Sequence, residues 1–118
     1  MKEAVNQWLE QKASLKGLLA CGVRYPDENM FFPPASPGLP RERLEYSLRC
    51  IADTFQVLKL NSFPSEQICW TYQNAILYCV KGAEGAFLAV FTGKDPKSID
   101  LAGLEEMLAE FPSVGIAT

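Results

Sequence analysis

The chain has 118 residues, 48% of them apolar, a formal net charge of −3 and no histidine. That length suits one domain spanning residues 1–118, and the apolar share is enough for a core. The acidic balance weighs against nucleic acid and anionic membrane surfaces, which attract basic faces, and the missing histidine removes Ser-His and Cys-His catalysis and the commonest transition-metal ligand.

The first expected element is a short amphipathic helix over Val5–Lys12, with Val5, Trp8, Leu9 and Lys12 at helical spacing. Met1–Glu10 is charged and has no apolar h-region, so no signal peptide is expected there and the chain reads as cytoplasmic. Leu15–Tyr25 is apolar on both alternating faces after Lys16, the pattern of a strand covered on both sides. Gly17 and Gly22 inside it predict a close approach by another element, or a bulge. Pro26-Asp27-Glu28-Asn29 reads as a turn, and Met30-Phe31-Phe32 as a short return strand. Pro33–Pro40 holds four prolines and reads as a stiff connector, with Pro40 suited to a first helical position.

A long helix is predicted over Pro40–Leu60. Leu44, Leu48, Ile51, Phe55 and Leu58 recur at alternating four- and three-residue steps, while Tyr46, Cys50, Val57 and Leu60 widen the apolar surface. Asn61 and Pro64 stop it. Ile68–Tyr72 and Ala75–Val80 read as a hairpin turning at Gln73-Asn74, with Ile68, Trp70 and Tyr72 on one face. After a turn at Lys81–Gly85, Ala86–Thr92 is apolar on both faces and reads as a central strand. Asp95 or Ser98 can cap a last helix over Leu101–Phe111, whose buried stripe is Leu101, Leu104, Leu108 and Phe111. Val114, Ile116 and Ala117 form a mildly apolar tail.

The chemistry looked for is not in the pattern. Cys21, Cys50, Cys69 and Cys79 match neither a zinc spacing nor C-x-x-C, and read as four reduced core thiols. Cys69 and Cys79 flank the hairpin and can face each other. Thr92-Gly93-Lys94 is no phosphate loop: Leu88 and Asp95 stand where the motif needs glycine and Ser or Thr. Asp27-Glu28 and Glu105-Glu106 are sequence neighbours that do not converge as an acid–base pair. No catalytic residue, metal site or cofactor is expected, and the chain reads as a non-enzyme. Arg41, Arg43 and Arg49, with Glu45 among them, are either a solvated helix face or a place where a partner docks. Trp70 and Tyr72 are either a binding face or packing.

In element order, length and hydrophobic pattern, Val5–Phe111 resembles the roadblock/dynein light chain family. The residues that carry the likeness are Gly17-Leu-Leu-Ala-Cys-Gly-Val-Arg-Tyr25, Leu44–Leu58, Ile76-Leu-Tyr-Cys-Val80 and Phe87-Leu-Ala-Val-Phe-Thr92. The proline-rich connector and the Pro26–Asn29 turn depart from the family's commoner Asp- and Gly-containing first turn, which leaves the subfamily open. The resemblance implies an α+β fold, an α-ββ-α-βββ-α sandwich. Its antiparallel sheet has five strands in the order 2-1-5-4-3, the long helix on one face and the two terminal helices on the other. It implies a homodimer joined through the third strands and the long helices, with Leu48, Ile51, Phe55, Ile68, Trp70 and Tyr72 as interface candidates. It further implies a dimeric regulator or scaffold without catalytic residues, commonly of a Ras-like small GTPase, with Arg41, Arg43, Glu45 and Arg49 as partner-binding candidates. An adaptor-complex subunit without GTPase contact, or a small-molecule-sensing module, is the alternative.

Overall fold

Both apolar faces of the central strands are covered, and the covering explains the element order. In a computed structural model that describes residues 2–33, 41–60, 67–82 and 85–114, the chain runs α1 (Lys2–Lys12), β1 (Leu18–Arg24), β2 (Met30–Phe31), α2 (Arg41–Leu60), β3 (Gln67–Thr71), β4 (Ile76–Lys81), β5 (Phe87–Thr92) and α3 (Leu101–Glu110). The sheet order is β2-β1-β5-β4-β3, with every neighbouring pair antiparallel. This is the α+β sandwich expected from the sequence.

Period-two alternation sorts the strand residues between two cores. Cys21, Val23, Val80, Leu88 and Val90 pack under Val5 and Leu9 of α1 and Leu104, Met107 and Leu108 of α3. Ala20, Leu77, Cys79, Ala89 and Phe91 pack under Leu44, Leu48, Ile51 and Phe55 of α2. β5 carries residues into both cores, as a central strand must.

The two glycines of the first strand run mark close approaches. Gly17 has φ +90, and a Cβ there would lie 2.7 Å from the Ile99 Cα and the Ser98 carbonyl. A Cβ on Gly22 would meet the Phe32 ring at 2.5 Å. The reversal at Gly17 also shortens the strand: Leu15 N–H bonds back to the Lys12 carbonyl and Leu18 N–H to that of Leu15, so β1 starts at Leu18 rather than Leu15.

Several local expectations are corrected. α3 is capped by neither Asp95 nor Ser98; Asp100 accepts from the Gly103 N–H at 3.0 Å. Asp95 instead caps a separate 3-10 turn, Pro96–Ser98, and receives the Ser98 hydroxyl. Leu101 is 44% exposed, whereas Met107 is fully buried, because the stripe facing the sheet is Leu104, Met107, Leu108 and Phe111. The thiols are not four core thiols: Cys21 and Cys79 are buried, Cys50 and Cys69 exposed, and all are free. Cys69 pairs with Tyr78 and Cys79 with Ile68, so Cys69 and Cys79 stand on opposite faces of the sheet. The connector from Pro34 to Pro40, the stop at Asn61–Glu66 and the tail residues Ile116 and Ala117 lie outside the described residues. No helix among the described residues is long and apolar enough to cross a membrane.

Candidate functional site

The α1/α3 side of the sandwich is fastened by polar contacts. Trp8 Nε1 donates to Glu110 at 2.9 Å, and Lys12 pairs with the same carboxylate at 3.4 Å. Those two partners, Trp8 foremost, hold the Glu110 carboxyl below its usual value. Lys2 pairs with Asp27 across the same side and lowers that carboxyl too. Tyr25 Oη donates to Asn6, and burial pushes its phenol up to about 12.

The α2 side is open along both flanks of the helix. One recess, of about 990 Å³, lies between α2 and the β3–β4 hairpin. It is mainly apolar, with Tyr46, Cys50 and Thr54 on the helix and Trp70, Tyr72 and Leu77 across from them. Tyr46 is 68% exposed, and the Cys50 thiol beside it raises its phenol above the ordinary value. Val57 and Leu60, on the same helix, are also exposed.

The second recess, of about 470 Å³, lies between the start of α2 and the β1–β2 hairpin. Arg41 Nε and Arg49 Nη2 share Glu45 at 3.3 and 3.9 Å, a ladder at helical spacing. The Arg41 guanidinium sits over the Phe32 ring, 5.4 Å from its centroid. Arg24, at the end of β1, reaches Glu28 at 3.6 Å, beyond good hydrogen-bond geometry, and its Nε is buried without a partner among the described residues. A buried unsatisfied donor costs roughly 1–3 kcal/mol. Glu28 has φ +72, a left-handed conformation that costs a side-chain-bearing residue roughly 1–2 kcal/mol.

These positions redistribute the residues named from sequence. Leu48, Ile51 and Phe55 are 0%, 1% and 5% exposed, and Phe55 stacks on Phe87 at 5.2 Å. The side chains of these three dimer-interface candidates lie in the chain's own core, and α2 turns Tyr46, Cys50 and Val57 outward. Ile68 and Trp70 also pack partly against the α2 core from β3, the sheet's edge strand, and Tyr72 follows β3 at 49% exposure. Arg41, Glu45 and Arg49 come together in the charged recess, while Arg43 lines the apolar one. Sequence reasoning missed Arg24 and Glu28. The available signal was a charge closing an otherwise buried strand, which needs a partner nearby.

No group of three or more Cys, Asp and Glu side chains suited to a metal occurs among the described residues. What the geometry presents is a sandwich with one fastened side and one side offering recesses beside a sheet edge. Neither a family model nor a curated protein matches the chain. Solved structures do. The gliding protein MglB from Thermus thermophilus superposes with a TM-score of 0.66 at 15% identity, over 94% of this chain and 87% of that one. An MglB with tetrameric arrangement gives 0.67 at 16%, over 93% and 83%. A roadblock/LC7 domain from Streptomyces avermitilis gives 0.61 at 15%, over 92% and 89%. The chain has the roadblock/LC7 fold.

Proposed function

We propose that this chain is a homodimeric regulator or scaffold without catalytic residues of its own, acting on a Ras-like small GTPase through protein contacts. The fold supports the regulatory class, and the tetrameric arrangement of one MglB supports self-association in proteins of this shape. The observation that carries the dimer is the edge strand. Tyr72 N–H bonds the Ala75 carbonyl at 2.8 Å, so Tyr72 faces β4. By alternation Trp70 and Ile68 face β4 as well, while Gln67, Cys69 and Thr71 direct their N–H and C=O outward. An apolar recess lies beside that edge, and unpaired edges invite pairing.

A two-fold axis through the middle of β3 makes a specific register. Cys69 then faces Cys69 of the second copy, and Gln67 faces its Thr71. Cys69 sits in a hydrogen-bonded pair, with Cα atoms about 5.5 Å apart. That separation is within the ~4.4–6.8 Å range of disulfides. Mild oxidation of a Cys50→Ser variant with diamide is therefore expected to give a covalent dimer through Cys69. A monomer in sedimentation, with no cross-link, would end the dimer reading.

The GTPase docks on the α2 side in this reading, with Arg43 on one rim and Arg41, Glu45 and Arg49 on the other. Titration of a cognate GTPase against wild type and an Arg43→Glu, Arg49→Glu variant tests it. Equal affinities, with the dimer intact in both, would remove this surface. The volume of the apolar recess also suits a small ligand, so saturable small-molecule binding to a monomer would favour the sensing alternative.

A further inference from the structure

We propose that the charged recess between α2 and the β1–β2 hairpin receives a single carboxylate side chain from an acidic segment of a protein partner. The inference rests on the chain's being a protein-interaction module, and needs neither the dimer nor a GTPase.

Among the described residues three guanidiniums line this recess, those of Arg24, Arg41 and Arg49, against two carboxylates, Glu28 and Glu45. The excess is one positive charge, on a chain whose net charge is −3. Arg41 and Arg49 divide one carboxylate between them. Arg24 is the least satisfied: its side chain is 19% exposed, its only carboxylate neighbour among the described residues is at 3.6 Å, and its Nε has no acceptor. A guanidinium held out of water in that state favours a bidentate acceptor.

Glu28 supplies the second observation. Its left-handed φ sits in a turn position that glycine or asparagine fills with less strain, and its carboxylate, 82% exposed, holds Arg24 only loosely. The left-handed residue belongs to the three-residue hairpin loop, in which Tyr25 N–H bonds the Asn29 carbonyl and Glu28 N–H that of Tyr25. An incoming carboxylate can approach Arg24 more closely than Glu28 does, with Glu28 left in place. The charge count selects that ligand. A phosphate brings a charge of about −1.5 to −2 at neutral pH and stands against Glu28 and Glu45; one carboxylate neutralises the excess. Phe32 beneath Arg41 fixes one guanidinium in place.

The test uses the full chain, 15N-labelled, and follows arginine Nε–Hε resonances by NMR during titration with an end-blocked tetraglutamate peptide, and separately with inorganic phosphate. The expected result is a saturable shift of the Arg24 resonance by the peptide at lower concentration than by phosphate. Arg49→Glu, a change at an exposed position, is expected to weaken peptide binding at least about threefold, the scale of one exposed charge pair. Lys94→Glu, at an exposed position outside both recesses, is expected to leave it unchanged. Three results overturn the proposal: no saturable shift, phosphate binding at least as tightly, or an equal loss in Lys94→Glu. Each leaves the sedimentation and GTPase experiments standing.

Discussion

The two faces of the sheet are built from similar materials and finished differently. Under α1 and α3 the apolar core is closed and its rim is tied by Trp8, Lys12 and Glu110, with Lys2 and Asp27 at the far end. Under α2 the core is equally buried, yet the helix leaves Tyr46, Val57 and Leu60 in solvent and a recess on each flank. Burial of a core is therefore separate from completion of a surface. The α2 helix buries one stripe against the sheet and leaves another exposed.

The largest expected effect tests whether the α2 core really is as structural as its counterpart. Leu48→Ala and Met107→Ala should each lower unfolding free energy by about 2–5 kcal/mol in urea titrations. A loss of under about 1 kcal/mol at Leu48, with the usual loss at Met107, would make the α2 face a loosely packed cover. Next in size is Cys69→Pro, which removes an outward-directed N–H and spares the bonds to β4. Proline is tolerated on an edge strand in that orientation. Thermal stability of the protomer should change little, while sedimentation should show dimer affinity falling by about tenfold or more. An unchanged dimer would move the association away from the sheet edge.

Glu28→Gly is expected to stabilise the protomer by about 1 kcal/mol, because glycine takes the left-handed turn position without a Cβ penalty. A destabilised variant would mean that the Glu28–Arg24 contact outweighs the strain. The smallest effect belongs to the fastened side. Glu110 and Asp27 have lowered carboxyl values in the folded chain. Their contribution is complete above the ordinary carboxylate range and disappears as pH falls through the lowered values. Trp8→Phe removes the first of Glu110's partners, so melting curves should lose less stability on acidification than wild type does. The same acid loss in both would assign it elsewhere.

The elements were readable because period and turn chemistry are local, whereas the strand order and the faces of the helices came from the family resemblance. The four- and three-residue steps of Leu44 through Phe55, the turn at Gln73-Asn74 and the two-faced run ending at Thr92 leave few alternatives. What periodicity conveys is that a face is buried; it does not say by what. Periodicity alone does not separate the stripe of Leu44, Leu48, Ile51 and Phe55 from the further apolar residues Tyr46, Cys50 and Val57; the sheet beneath shows which stripe is inside. Cys69 and Cys79 depended on register: a two-residue turn sets Tyr72 against Ala75, which puts Ile68, not Cys69, opposite Cys79. Arg24 and Glu28 meet through a turn whose left-handed residue is a glutamate, an unfavourable choice that local preference steers away from.

The uneven fate of the four thiols makes the molecule its own spectroscopic instrument. Burial pushes the Cys21 thiol up to about 12 and raises that of Cys79 as well, so neither presents a thiolate to a maleimide at neutral pH. Cys50 and Cys69 remain accessible, one on the long helix and one on the opposite face of the sheet. A nitroxide or fluorophore attached at either position reports separately on helix and sheet edge, without an engineered cysteine. With Cys50 replaced by serine, a single probe at Cys69 would sit beside its own image in the proposed dimer. Spin–spin broadening or self-quenching at that one position would then follow assembly in real time.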